Sequence, residues 1–303
     1  MIGCTASEPA AGTRASDRSF AGLRAVAERS LAPASSTPRL DAELLLGFSA
    51  GVVRATVIAF PERELAEQDA AVFHRAVQRR ARGEPLAYIT GDREFYSLQL
   101  RVTADVLIPR PETELLVDEV LAHMNSSFDG TVLDLGTGSA AIALAIKHNR
   151  PSAQITATDS SSAALMLAAA NAAQLDLPLQ CVESNWFEAL EAKRFDYIVC
   201  NPPYLASSDP HFDGPLSFEP RGALDGGDDG CTAFREVLAG ARLHLNIGGL
   251  LLLEHGYDQR EAVLRLADEY GYRVLRVRDD LAGQPRCVAL SASIPPARRS
   301  DRY

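Results

Sequence analysis

The stretch TVLDLGTGSAAIALAI, residues 131–146, joins a short apolar run, a glycine-rich turn and an alanine-rich apolar segment. This order predicts a buried strand, a tight turn and a helix. Gly136 and Gly138 permit positive φ and let the backbone approach a ligand closely, and the helix start offers free N–H groups. Ala141 stands where the dinucleotide pattern G-x-G-x-x-G has its third glycine. The stretch therefore predicts a strand-turn-helix unit with a ligand at its turn.

Strand and helix patterns alternate from about Pro111 onward. The predicted strands cover residues 131–135, 154–158, 179–183, 195–200, 249–254, 272–277 and 286–291. The predicted helices cover residues 113–124, 140–149, 162–174, 232–245 and 258–270. This alternation predicts an α/β fold with a seven-stranded, mainly parallel, doubly wound sheet.

The rest of the chain divides into segments of different character. The predicted divisions are a disordered leader over 1–18, a small helical domain over 19–84, a linking β-hairpin over 85–110, the α/β domain over 111–294 and a loose tail over 295–303. Asp41 is a predicted helix N-cap. The arginines at 75, 79, 80 and 82 leave two interpretations open, a docking patch or a solvated helix face.

Composition excludes several classes of function. A net charge of −10 argues against a protein that coats nucleic acid through broad phosphate contacts. The start of the chain has no apolar segment typical of a secretory signal, and no apolar run approaches a membrane span. The five cysteines form no C-x-x-C pair and have no zinc spacing with histidine. We therefore expect a cytoplasmic protein with no metal site.

A second element at the sheet edge restricts the class of ligand that the site can bind. Asp159 follows the predicted strand ITATD, where a carboxylate can accept hydrogen bonds from both hydroxyls of a ribose. Combined with the glycine turn over Gly136 to Ala140, this predicts an adenosine cofactor. No Walker lysine or second phosphate motif is present, which favours a cofactor without pyrophosphate. S-adenosylmethionine meets these conditions, since it combines ribose, adenine and an amino-acid tail.

The adenine of such a cofactor has candidate partners after the third predicted strand. Asn185 can both donate to and accept from the edge of the base. Trp186, the only tryptophan of the chain, can stack on the ring or flank it. Core packing is the alternative interpretation of Trp186.

The motif NPPY, residues 201–204, ends the fourth predicted strand. Asn201 and Pro202 both precede a proline and are therefore held extended. This conformation fixes the direction of the Asn201 side chain and of the Pro202 carbonyl, while neither Pro202 nor Pro203 offers an N–H. Two acceptors thus face a planar –NH₂ group, and Tyr204 offers an aromatic face to it. A rigid strand-to-loop turn is the alternative interpretation.

The predicted chemistry is methyl transfer to a planar nitrogen. Such a nitrogen is a poor nucleophile because its lone pair is conjugated. Its electron density rises when both of its N–H groups donate hydrogen bonds to the two acceptors. Positioning supplies much of the barrier reduction for an in-line transfer. No strong base is required before the attack, since the proton can leave afterwards.

At this point the sequence resembles a known family, the peptide chain release factor N(5)-glutamine methyltransferases. NPPY and the glycine turn are accompanied by RRARGEPLAYITGDREFYSLQL, VLIPRPETELLV, FEPRGALDGGDDG and LLLEHG, and the resemblance covers about residues 40–290. It implies the class I S-adenosylmethionine-dependent methyltransferase fold and methylation of the glutamine in the Gly-Gly-Gln motif of class-I release factors. The implied cofactor residues are Gly136, Thr137, Gly138, Ser139, Ala140, Asp159, Asn185, Trp186 and Asn201. The implied catalytic and glutamine-binding residues are Asn201, Pro202, Pro203 and Tyr204.

The sequence departs from the family pattern at two positions. The family usually has glycine in place of Ala140, so one methyl group is expected to crowd the methionine part of the cofactor. The family often has aspartate in place of Asn185. The asparagine of this sequence can still accept a hydrogen bond from the adenine amine. The implied protein is a monomer with no direct nucleic-acid contact, and its helical domain docks the release factor. Three alternatives stay open: methylation of a ribosomal-protein glutamine, methylation of DNA adenine, and an inactive cofactor-binding scaffold.

Overall fold

The computed structural model describes residues 18–292 and divides into two compact units, which meet in sequence between Thr90 and Gly91. The expected tail and all but the last residue of the expected leader lie outside the described residues. No helix within 18–292 has the length and apolar character needed to cross a membrane.

The first unit is helical. Its helices are α1 (Phe20–Leu31), α2 (Pro38–Ala50), α3 (Arg54–Ala59), α4 (Glu67–Ala81) and α5 (Leu86–Thr90). Apolar residues at helical spacing bury one face of each longer helix, with Phe20, Leu45 and Phe73 among the fully buried side chains.

Asp41 does not cap a helix. Helix α2 begins earlier, at Pro38, because a proline is well tolerated in the first turn of a helix. Asp41 lies inside that turn and is buried, and its carboxylate accepts hydrogen bonds from Ser35 (2.8 Å) and Arg80 (2.7 Å). A neighbouring arginine, Arg79, pairs with Glu84. Two of the four arginines proposed as a docking patch therefore hold the helical unit together.

The second unit begins with a hairpin of β1 (Asp92–Phe95) and β2 (Leu98–Arg101). The hairpin is shorter than the stretch 85–110 assigned to it. Helix α5 occupies the start of that stretch, and after β2 the chain runs without regular structure to a 3-10 helix at Pro111–Thr113.

The remainder of the second unit alternates strands and helices, as predicted. The strands are β3 (Thr131–Leu135), β4 (Gln154–Asp159), β5 (Gln180–Glu183), β6 (Phe195–Cys200), β7 (Leu245–Glu254), β8 (Tyr272–Asp279) and β9 (Pro285–Ala292). The helices are α6 (Glu114–His123), α7 (Ala141–Asn149), α8 (Ser162–Leu175), α9 (Thr232–His244) and α10 (Arg260–Glu269). The seven strands form one sheet in the order β5-β4-β3-β6-β7-β9-β8, with β9 antiparallel to both neighbours. The predicted fold class is confirmed.

Strand β7 begins four residues earlier than predicted. The pair Gly248 and Gly249 interrupts the apolar run at this point, and glycine weakens strands. In the structure both glycines belong to β7 and lie at a register shift in its pairing with β6. Phe195 pairs with Leu245, and Tyr197, two residues later, pairs with Leu250.

The order of the strands determines where a ligand can bind. After β3 the chain adds β4 and β5 on one side, and then returns to place β6 on the other side of β3. The loops that follow β3 and β6 therefore leave the sheet in diverging directions and open a crevice at the carboxyl ends of the strands.

One buried amide connects the hairpin with the glycine turn. Asn171 on α8 has no exposed surface. Its side chain accepts from the Arg101 amide (2.9 Å) and donates to the carbonyls of Arg101 (3.0 Å) and Ser139 (2.9 Å). The hairpin and the turn thus share one side chain that satisfies three backbone groups.

We expect Asn171→Ala to lower the free energy of unfolding of the second unit by about 2–3 kcal/mol, because it leaves buried backbone groups unpaired. Gln174→Ala, on the same helix but exposed and making only a long contact to Gln99 (3.4 Å), is the matched control and should cost less than about 0.5 kcal/mol. Denaturant unfolding followed by the fluorescence of the only tryptophan, Trp186, reports on this unit. Equal losses in both variants would contradict the assigned role of Asn171.

Candidate active site

The carboxyl ends of β3, β4, β5 and β6 surround a cavity of about 340 Å³. We call it the large cavity. Its lining includes Gly136, Gly138, Asp159, Asn185, Trp186, Asn201, Pro202 and Pro203. The structure thus brings together residues that the sequence distributes over four separate stretches. Thr137, Ser139, Ala140 and Tyr204 do not line this cavity.

The glycine turn and the carboxylate of β4 are joined by a hydrogen bond. Gly136 and Gly138 have φ of 68° and 55°, in the left-handed region that favours glycine. The Gly138 amide donates to Oδ2 of Asp159 (2.9 Å), and the Ser161 amide donates to Oδ1 (2.9 Å). Each carboxylate oxygen has two acceptor sites, so each retains one. The Asp159 carboxylate is therefore held at the cavity wall in an orientation that still accepts a pair of hydroxyl groups.

Thr137 and Ser139 are buried beneath the glycine turn and stabilise it through hydrogen bonds to the core. Thr137 is buried, and its hydroxyl donates to Oδ2 of Asp134 (2.7 Å), which also accepts from the Ala143 amide (3.2 Å). Ser139 is buried too and offers its carbonyl to Asn171. Burial raises the pKa of Asp134 to about 6. Asp134 was missed in the sequence because it alternates with leucines in a run that is typical of a buried strand.

Ala140 constrains the backbone and not the cavity. The expectation that its methyl group crowds the cofactor is not supported, because Ala140 is fully buried in the core and does not line the large cavity. Its φ and ψ are 65° and 27°, the left-handed conformation that an alanine adopts at a cost of roughly 1–2 kcal/mol. Glycine avoids this cost, which is the physical reason for glycine at such a position.

Asn185 and Trp186 lie at the opposite wall. The Asn185 side chain is exposed and donates to Glu188 (3.0 Å). The indole N–H of Trp186 donates to Glu236, and the Trp186 carbonyl accepts from the Ser184 hydroxyl (2.9 Å). Trp186 also packs partly against the core beneath it. Its ring therefore serves both as a cavity wall and as part of the core, so the two interpretations of this tryptophan are compatible.

Asn201 presents one unsatisfied oxygen. Its side-chain nitrogen donates to the hydroxyl of Thr113 (3.2 Å). Its oxygen Oδ1 is buried and has no hydrogen-bond partner within residues 18–292. A buried carbonyl without a partner is costly, so this atom is a strong candidate to accept a hydrogen bond from a ligand.

A second, smaller cavity of about 130 Å³ adjoins the first. We call it the small cavity. Its lining includes Leu107, Arg110, Asn201, Pro202, Tyr204 and Leu216. Asn201 and Pro202 line both cavities. Tyr204 is largely buried, which raises its pKa well above the usual value, and its ring therefore stays neutral. The NPPY motif thus forms the boundary between a large and a small binding space.

An ion pair anchors the long segment between β6 and α9 to the residues that precede α6. Arg110 pairs with Glu219 (2.5 Å), whose other oxygen accepts from the Ile108 amide (3.1 Å). Glu219 lies in the long segment between β6 and α9, from which Pro220 and Gly222 reach the large cavity. The stretches VLIPRPETELLV and FEPRGALDGGDDG supplied the only sequence signal for this contact, and neither stretch by itself indicated its partner.

Comparisons with known proteins agree with this geometry. Residues 112–213 match the family described as "Methyltransferase small domain", and residues 23–91 match the "PrmC N-terminal domain". A protein of Coxiella burnetii named release factor glutamine methyltransferase is 46% identical over 259 residues, which are 85% of this chain and 93% of that protein. A protein of Burkholderia pseudomallei with the same name is 45% identical over 84% of this chain and 92% of its own length. A methyltransferase structure from Pyrococcus furiosus covers 75% of this chain and 98% of its own, with a TM-score of 0.50 and 18% identity, and therefore shows the fold alone.

The conformation of Ala140 leads to a stability prediction. Ala140→Gly removes a buried methyl group, worth about 0.8 kcal/mol, but also removes the left-handed strain of about 1–2 kcal/mol. We therefore expect the free energy of unfolding to change by less than about 1 kcal/mol. Ala143→Gly is the matched control, since Ala143 is equally buried and lies within α7.

The control variant loses the same methyl group and gains the flexibility of a glycine in a helix, so it should cost about 2 kcal/mol. The comparison uses urea unfolding followed by Trp186 fluorescence. If both variants lose the same stability, Ala140 is not strained in solution.

Proposed function

Because the chain belongs to the family of release factor glutamine methyltransferases, we propose that it transfers a methyl group from S-adenosylmethionine to the glutamine of the Gly-Gly-Gln motif in class-I peptide chain release factors. The observation that carries this proposal is the buried, unpartnered Oδ1 of Asn201, located where the large and small cavities meet. An amide –NH₂ group satisfies that oxygen, and a glutamine side chain supplies such a group.

The large cavity fits the cofactor. Its volume is within the usual range for ligand pockets. Asp159 retains two acceptor sites for the ribose hydroxyls, the glycine turn allows close approach of the amino-acid part, and Trp186 and Asn185, which line the same cavity, offer a flat face and a polar edge to adenine. Once bound, S-adenosylmethionine supplies a methyl group on a positively charged sulfur.

The residues of the small cavity orient the substrate. Asn201 Oδ1 and the Pro202 carbonyl each accept a hydrogen bond from one N–H group of the glutamine amide. Tyr204 packs against the plane of that amide. Because both N–H groups donate hydrogen bonds to these oxygens, the electron density on the nitrogen rises and its lone pair is directed toward the large cavity. The arrangement contributes positioning and electrostatic stabilisation, and the proton leaves the nitrogen after the transfer.

The helical unit docks the release factor in this proposal. It carries no residue of either cavity, and it exposes large apolar side chains that include Phe48, Val53 and Phe60. The enzyme works as a monomer in the cytoplasm with a protein substrate. The net charge of −10 supports the absence of direct nucleic-acid binding.

The function is tested by incubating the full chain with S-adenosylmethionine and an intact class-I release factor, and by locating added methyl groups by mass spectrometry of its peptides. We expect one methyl group on the glutamine of Gly-Gly-Gln. Asn201→Ala should slow single turnover about 10²–10³-fold, by analogy with the loss of one preorganised hydrogen-bonding group.

Asn201→Asp keeps an acceptor and should fall between the wild type and the alanine variant. Cofactor affinity, measured by calorimetry, should remain within a few-fold of the wild type in the alanine variant, which separates transfer from binding. Methylation of a ribosomal protein in preference to the release factor would contradict the proposed substrate, and an alanine variant as fast as the wild type would remove Asn201 from the mechanism.

Removal of the helical unit should separate docking from chemistry. We expect a chain of residues 91–303 to bind S-adenosylmethionine with unchanged affinity, because both cavities lie within it. It should methylate a short Gly-Gly-Gln peptide but lose most activity on the intact release factor. Steady-state kinetics on both substrates is the measurement, and full activity of the shortened chain on the intact factor would refute the docking role.

A further inference from the structure

Glu254 is a buried carboxylate that the proposed chemistry does not use. It is the last residue of β7 and pairs with Cys287 of β9, and because Cys200 pairs with Leu253, Glu254 stands next to the position of Asn201. Glu254 is only 2% exposed, and its oxygen Oε2 has no hydrogen-bond partner in the described part of the chain. Burial of a carboxylate without full pairing is expensive, so this residue calls for a role.

Thr113 connects Glu254 with Asn201. It ends the short 3-10 helix before α6 and is 4% exposed. Its hydroxyl oxygen accepts from the side-chain nitrogen of Asn201 (3.2 Å), and its hydroxyl lies near enough to the Glu254 carboxylate to lower the pKa of that group. A hydroxyl has one proton to donate. When Glu254 is ionised it accepts that proton, so Thr113 can only accept from Asn201.

This order of donors fixes the direction of the Asn201 amide. The nitrogen must face Thr113, and the oxygen Oδ1 is then the atom left for the substrate. We propose that Glu254 and Thr113 are positioning residues that set the polarity of the Asn201 side chain, so that it presents an acceptor to the glutamine amide only while Glu254 is ionised. The inference rests on the proposed function for the identity of the substrate.

Protonation of Glu254 reverses the direction of the hydrogen bonds between Glu254, Thr113 and Asn201. A neutral carboxyl group donates to the Thr113 oxygen, and the threonine proton then turns toward Asn201. The Asn201 amide rotates so that its oxygen accepts this proton, and its –NH₂ group faces the substrate. Two –NH₂ groups then oppose each other, and the glutamine nitrogen loses the acceptor that orients it.

The surroundings of Glu254 set the pH range of this switch. Burial raises the pKa of Glu254 to about 7, while the hydrogen bond from Thr113 lowers it. The charged and titratable groups that face it are Arg286 and Cys287 on β9, Arg110 and Glu112 before α6, Tyr204 and Cys200 on the β6 side, and the adjacent His255.

The neighbouring thiols, the Tyr204 phenol and the His255 imidazole carry no charge near pH 7. Burial raises the pKa of Cys200, Cys287 and Tyr204, so all three stay neutral near pH 7. Burial lowers the pKa of His255, which is therefore neutral there as well. Glu254 gains its charge as the pH rises through about 7. We therefore expect turnover to rise with pH across that value, with the cofactor saturating.

The experiment uses the full chain, S-adenosylmethionine and a release factor as substrate, with single-turnover rates measured across the pH range around 7. Thr113→Val keeps the shape of threonine and removes the hydroxyl. It should slow transfer about 10–100-fold, by analogy with the loss of a residue that orients a metal ligand through a hydrogen bond, and should abolish the rise with pH. Thr113→Ser retains the hydroxyl and should restore most of the rate and the rise. Glu254→Gln should be slow and insensitive to pH.

A second measurement follows the amide itself. With asparagine labelled by nitrogen-15, the side-chain signal of Asn201 is identified by its loss in Asn201→Ala. It should shift with pH near 7 in the wild type and stay constant in Glu254→Gln. The inference is overturned if Thr113→Val transfers methyl groups as fast as the wild type, or if Glu254→Gln keeps the rise with pH. A wild-type chain that methylates no release factor would instead refute the proposed function.

Discussion

Parallel pairing of β3 with β4 on one side and with β6 on the other is the constraint on which the site depends. It aligns the carboxyl ends of consecutive strands at one edge while the loops beyond them diverge. The glycine turn after β3, Asp159 at the end of β4 and Asn201 after β6 become neighbours only through this register. A slip of one residue would turn each of these side chains to the opposite face of the sheet.

The site concentrates polar atoms that the fold leaves unpaired. Within residues 18–292, five buried side-chain atoms lack a hydrogen-bond partner, and three of them belong to Asp134, Asn201 and Glu254. These residues lie on β3, directly after β6 and at the end of β7. An interior normally satisfies its polar groups, so the clustering indicates groups kept available for a ligand or for proton-dependent orientation. Burial raises the pKa of both Asp134 and Glu254, which makes charge at this edge sensitive to pH near neutrality.

The turn residues show how local strain and function are combined. Gly136 and Gly138 adopt left-handed conformations that only glycine adopts without cost, whereas Ala140 adopts one as an alanine and is buried on all sides. The departure from the family pattern at this position therefore concerns the backbone and the core. The methyl group of Ala140 does not line the large cavity.

The sequence by itself determined the fold class, the strands β3 and β6 at their observed bounds, and the cavity positions of Gly136, Gly138, Asp159 and the NPPY motif, because each is encoded by a local pattern of apolar runs, glycines and prolines. It did not reveal the pair Arg110–Glu219, the bond from Asn201 to Thr113 or the proximity of Glu254, since these partners are far apart in the chain and no periodicity links them. Local patterns also misplaced the cap at Asp41 and the effect of Ala140. Helix α2 begins at Pro38 and so places Asp41 inside its first turn, and Ala140 is buried behind the glycine turn. Long-range packing decides which atom of a side chain is satisfied and which is left for the substrate, and only the tertiary structure contains that information.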